Sequence, residues 1–137
     1  MISYAGLRHG LIIGIVSGSL WGIMALLFNS IAGALPMENT LAHNLAAFTI
    51  AGALIGAIAG GFLSFIDELL PFKTVTLKAI FVTTALWFVL LLGGVVMSLA
   101  EQGRYHYSPA ETSHGLILAI LLGITLGLIW KRKPNLL

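Results

Sequence analysis

Long apolar runs alternate with short polar intervals along this chain. The first run extends from Leu11 to Phe28, the second from about Leu45 to Ile66, the third from Leu77 to Ala100 and the fourth from Gly115 to Trp130. None has the strict in-and-out alternation of a strand, and each reaches or nearly reaches the ~20 residues that a helix needs to cross hydrocarbon at ~1.5 Å per residue. Backbone amides inside a bilayer must pair within the protein, so uninterrupted runs of this kind predict helices. The expected fold is an all-α integral membrane protein, a single four-helix transmembrane domain over 1–137 with helices at about 9–34, 40–66, 76–100 and 109–132.

Composition supports that class. Hydrophobic residues make up 58% of the chain and charged residues 9%, with a mean hydropathy of +1.02, more apolar surface than a soluble core of this size absorbs. Arg8, the apolar stretch after it and Ala32-Gly33-Ala34 outline a secretory signal. The stretch exceeds the roughly 7–15 residues of such a segment, so the first run is expected to be a retained span.

Lys and Arg resist translocation and therefore orient the spans. Arg8, Lys73, Lys78, Lys131, Arg132 and Lys133 fall on one side and only Arg104 on the other. Both termini and the second loop are thus expected in the cytoplasm, and the chain is expected in a prokaryotic cytoplasmic membrane. Ser108-Pro109-Ala110-Glu111 has the form of a capping box with Pro at the first helical position, which predicts a fourth helix starting near Pro109. Asp67 and Glu68 close the second helix, where the dipole disfavours acids, and Lys73 and Lys78 are near enough to offset them.

Small residues recur every fourth position in three of the four runs. Gly10, Gly14, Gly18 and Gly22 mark the first helix, Gly52, Gly56, Gly60 and Ser64 the second, and Gly115, Ala119, Gly123 and Gly127 the fourth. Because helix association in lipid gains little from the hydrophobic effect, such Gly-xxx-Gly stripes predict close backbone approach, with crossings of roughly −40°. They are expected to serve packing within the chain; the alternative, since three stripes exceed the needs of a simple pair of hairpins, is that at least one of them forms a contact between chains. The third helix, rich in Leu, Phe and Val, is expected at the periphery, facing lipid or a larger partner. His9-Gly10-Leu11-Ile12 echoes His114-Gly115-Leu116-Ile117, but those helices run in opposite directions, so no internal repeat is inferred.

Candidate chemistry is sparse. The absence of Cys removes thiolate metal sites, disulfides and redox dithiols. No Asp, Glu, Lys or Arg sits in the middle of a span, which disfavours proton-coupled transport. Hydroxyls at Ser17, Ser19, Thr49, Thr83, Thr84 and Thr125 are expected to bond to the preceding helical turn. No nucleophile elbow or phosphate loop is present, no enzymatic activity is expected, and the short basic tail suits anionic lipid rather than nucleic acid. Potential metal ligands gather on the outer face: His43, His106 and His114 with Glu38, Glu101 and Glu111. Imidazole with carboxylate suits a divalent metal, although the spacing matches no defined motif, and His43 with His114 would be the pair for a haem. The chain is expected to carry no cofactor unless that face holds a divalent metal. The first helix and the Pro36-Met37-Glu38 that follows loosely resemble the start of cobalt-transport membrane subunits, a likeness over less than a third of the chain that implies metal uptake.

Two functions follow. One is a non-catalytic accessory subunit whose partners are the lipid bilayer and the other subunits of a larger membrane complex. The other is a self-associating channel or transporter component, with divalent-metal uptake as its sharper form.

Overall fold

The computed structural model describes residues 4–33, 37, 39–101 and 109–131. It contains α1 (Tyr4–Ala32), α2 (Leu41–Ile66), α3 (Val75–Ala100) and α4 (Pro109–Lys131), each long and apolar enough to cross a membrane. The chain is therefore an all-helical membrane protein of four candidate spans. One end of the bundle carries the start of α1, the α2–α3 turn and the end of α4. This is called the terminal end below, and the other the loop end.

The helix boundaries have local causes. α1 begins at Tyr4, ahead of the apolar run, and stops where Gly33 takes a left-handed φ of 63° and donates its N–H to the Asn29 carbonyl at 2.8 Å. A side chain at this position would be strained, so glycine ends the helix with little penalty. Thr40 and Thr74 cap α2 and α3 by accepting the N–H groups of His43 at 3.3 Å and Leu77 at 3.4 Å. α4 starts at Pro109, and the capping Ser108 lies outside the described residues.

Helix pairing is uneven. α1 lies against α2 and α4, α4 lies against α1 and α3, and α3 meets α2 mainly near their shared turn. There Lys78 Nζ donates to the Asp67 carboxylate at 2.8 Å and to the Asp67 carbonyl at 2.5 Å, so one cation answers both an acid and the negative end of the α2 dipole. Ile13, Leu63, Val82 and Leu126, one from each helix, are buried together with Ala59 and Ala79 in the core, which sits toward the terminal end. The loop-end half buries Ala25, Leu26 and Ala119 and, beside them, the polar Asn29, Asn44 and His114. α3 joins the core only through its first half. Its buried residues are Ala79, Val82 and Thr83, and 11% of its apolar window is buried against 33–39% for the other helices.

Hydroxyls inside the spans largely bond within their own helix. Ser17, Thr49, Thr83 and Thr125 donate to carbonyls one turn earlier at 2.6–3.0 Å. The Thr84 hydroxyl departs from that expectation, being buried without a partner.

Candidate functional site: helix interfaces and an apolar cleft

The α1–α2 interface is backbone against backbone. A Cβ added to Gly10, Gly14, Gly18 or Gly22 would run into the carbonyl oxygen of Gly60, Gly56, Gly52 or Phe48, and one added to Gly52, Gly56 or Gly60 would run into that of Gly18, Gly14 or Gly10. The residue numbers of every such pair add to 70, so the helices run antiparallel without a slip of register. Each glycine thus points a Cα hydrogen at a facing carbonyl, the arrangement of a Cα–H···O contact, worth ~0.5–1 kcal/mol apiece. Ser64 continues the row by donating to the Gly6 carbonyl across the interface at 3.1 Å. The approach persists from Gly10 to Gly22, about 18 Å of helix, whereas a crossing of roughly 40° would offset the axes sideways by about 6 Å at each end of that stretch and so widen their separation there. The pair is accordingly closer to antiparallel than the −40° that four-residue spacing alone suggests.

α4 also brings glycines onto a facing backbone, with the Cα atoms of Thr76 and Ile80 nearest to Gly127 and Gly123, and only Gly115 meets a side chain alone. Gly127 lies over Thr76, Gly123 over Ile80 and Thr83, and Gly115 under the Trp87 indole, whose Nε1 is 2.6 Å from where a Gly115 Cβ would stand. All three rows of small residues therefore meet neighbouring helices of the same chain. α3 has no such row, so α4 alone supplies the recess into which α3 fits at Thr76, Ile80 and Thr83.

α1 and α4 are joined by three contacts along their length. His9 packs edge-on to Trp130 with ring centroids 5.5 Å apart, Trp21 Nε1 donates to the Leu118 carbonyl at 2.8 Å, and Phe28 stacks on His114 at 5.1 Å.

Of the outer-face candidates, His43, His114, Glu101 and Glu111 fall within the described residues. His114 is 6% exposed with no hydrogen-bond partner for its Nε2, His43 is exposed, and Glu111 is exposed in the first turn of α4. Glu38 and His106 lie outside the described residues. Among the described residues no three His, Asp or Glu side chains converge as they would around a metal. His114 was legible as a polar residue near a helix start, but its burial against Phe28 depends on the α1–α4 register, which no local pattern reveals.

A cleft opens between the loop-end halves of α3 and α4. Its inner part, about 170 Å³, is bounded by Trp21, Ile55, Thr83, Trp87, Ala119 and Leu122. Its outer part, about 220 Å³, is bounded by Trp87, Leu90, Leu91, Glu111 and Thr112, so the two parts meet at Trp87 and Leu90. The cause is visible in the packing: α3 is anchored by Ala79, Val82 and Thr83 and stands off beyond them, while Gly115 and Ala119 leave the facing surface of α4 low.

Comparison with known proteins gives no match: no family model fits the chain, and no curated protein or solved structure is similar to it.

Proposed function

We propose that this chain is a non-catalytic, small integral-membrane subunit that packs into a larger membrane complex through α3. One observation carries the reading. Phe81, Ala85, Phe88, Leu92, Val95 and Leu99 follow one another at spacings of four and three residues, and all are exposed. That is the 3.5-residue seam by which one helix packs its side chains into another. Val89, Leu90, Val96 and Met97 are exposed as well, so the outer half of α3 is bare on several faces, and this seam is the one whose spacing suits a partner helix.

The rest of the bundle is consistent with a supporting role. The small residues of α1, α2 and α4 are used within the chain, and the one ion pair among the described residues, Lys78 with Asp67, lies at a helix turn. No charged side chain lies in the middle of a span to carry protons. By the excess of Lys and Arg, both termini and the α2–α3 turn belong on the cytoplasmic side of a prokaryotic cytoplasmic membrane. The loop end, with His114 and Glu111, then faces outward.

Gentle extraction from the native membrane followed by native mass spectrometry tests this. Stoichiometric foreign chains are expected. A homo-oligomer without them, particularly one carrying divalent metal, would replace this reading by a channel or uptake component.

A further inference from the structure

The terminal end of the bundle is its positive end. In sequence, every Lys and Arg except Arg104 lies within or just beside the start of α1, the α2–α3 turn and the end of α4, where the acids are Asp67 and Glu68 alone. These cations are not equivalent. Lys78 is partly buried and committed to Asp67 at 2.8 Å, whereas Arg8 is exposed, and among the described residues its side chain makes no ion pair and no hydrogen bond.

Arg8 stands at the head of a bare strip of α1. Tyr4, Arg8, Leu11 and Ile15 follow one another at spacings of four, three and four residues, which puts them on one face of the helix. All four are exposed, Tyr4 at 83%, Leu11 at 38% and Ile15 at 45%. The strip is separate from the α3 seam, since α1 lies against α2 and α4. Its order is phenol, guanidinium and then hydrocarbon, over about 16 Å of helix. Arg8 precedes Leu11 by about 4.5 Å, so its flexible stem carries the guanidinium to the headgroups while Leu11 lies among the chains. The Trp130 ring, edge-on to His9 with centroids 5.5 Å apart, lies at the same depth, where indoles mark the boundary between headgroups and chains. An unpaired guanidinium above an exposed apolar face has the complement of one molecule, an anionic group that carries its own hydrocarbon.

We propose that this strip binds an anionic phospholipid of the terminal-end leaflet, with the Arg8 guanidinium donating to its phosphate and its chains lying along Leu11 and Ile15. Selection is by net charge. A zwitterionic headgroup also offers a phosphate but brings its own cation to it, whereas an anionic headgroup leaves Arg8 as the counter-charge. The strip does not depend on a protein partner, so lipid selection here and partner capture at α3 are separate readouts.

The test uses the full chain in phosphatidylcholine vesicles at low ionic strength, into which phosphatidylglycerol or phosphatidylcholine brominated high in one acyl chain is titrated. Both lipids carry a phosphodiester, so the comparison reads net charge. Bromine quenches nearby tryptophan, and Trp130 is the reporter beside Arg8, with Trp21→Phe and Trp87→Phe removing the other two. Phosphatidylglycerol should be favoured about fivefold, the worth of one cation at the membrane surface. Arg8→Gln should remove most of that preference, Lys73→Gln, which deletes the same charge from the α2–α3 turn, should remove less, and molar salt should erase it. Equal quenching by the two lipids, a preference untouched by Arg8→Gln, or equal losses from Arg8→Gln and Lys73→Gln would overturn the inference. Should the single-tryptophan chain fail to fold, the chain with all three tryptophans, compared with and without Arg8→Gln, decides by the same quenching.

Discussion

Gly14 and Gly56 face each other so closely that each carbonyl oxygen occupies the space where the other's Cβ would stand. The relationship repeats at Gly10 with Gly60 and Gly18 with Gly52. Helix association here depends on contact between backbones, since lipid tails compete for every apolar side chain.

Gly14→Ala and Gly56→Ala should each destabilise the protein by about 1–3 kcal/mol, because the obstructing atom is backbone and no rotamer change relieves it. The intrinsic helix gain of ~1 kcal/mol from replacing Gly by Ala acts in the opposite direction and only reduces the loss. Gly93→Ala is the control: nothing lies within 4 Å of an added Cβ there, so that variant should be neutral or more stable. Denaturant titration in detergent followed by circular dichroism separates the two cases.

His114→Phe should stabilise the protein by about 1 kcal/mol or more. The imidazole Nε2 is buried without a partner, a situation that costs ~1–3 kcal/mol, and a phenyl ring keeps the stack on Phe28. A thermal midpoint that falls instead would show that His114 is held by a group it binds.

Lys78→Met should cost more than Asp67→Asn. The ammonium serves both the Asp67 carboxylate and the Asp67 carbonyl, so its loss frees the end of α2 as well as the acid. Asp67 is 38% exposed, and a screened pair of this kind contributes ~0–1 kcal/mol. Raising the salt concentration should therefore shrink the Asp67→Asn effect more than the Lys78→Met effect, read as shifts in thermal midpoint at two ionic strengths.

Trp21→Phe should cost about 1 kcal/mol through loss of the hydrogen bond to Leu118. Cysteine pairs placed at Gly6 and Ser64 should still crosslink in this variant, because the α1–α2 interface does not depend on Trp21. Loss of that crosslink would contradict the independence of the glycine-packed α1–α2 interface from the α1–α4 contact.

Much of the fold is legible along the chain, and the reasons are physical. Hydrocarbon thickness sets the length of an apolar run, so four spans can be counted from Leu11 to Trp130, and Thr40, Thr74 and Pro109 mark starts through their own chemistry. Four-residue spacing marks a face of a helix without naming what that face meets. That α1 pairs with α2 carbonyl for carbonyl, while α4 receives Thr76 and Ile80, depends on a register between distant segments. The site was less legible for the same reason. His43 and His114 look alike as helix-start histidines, yet one is exposed and the other is stacked on Phe28. The cleft at Trp87 exists only because α3 is anchored at one end, which no pattern within α3 announces.

Site-specific photo-crosslinking in native membranes tests the subunit reading most directly. A photoreactive residue in place of Phe88 sits on the exposed seam of α3, and one in place of Ile15, which is 45% exposed on α1, serves as the comparison. The account predicts a crosslink from position 88 to a different membrane protein and none of that product from position 15. Crosslinks from position 88 only to lipid, or only to a second copy of this chain, would contradict it.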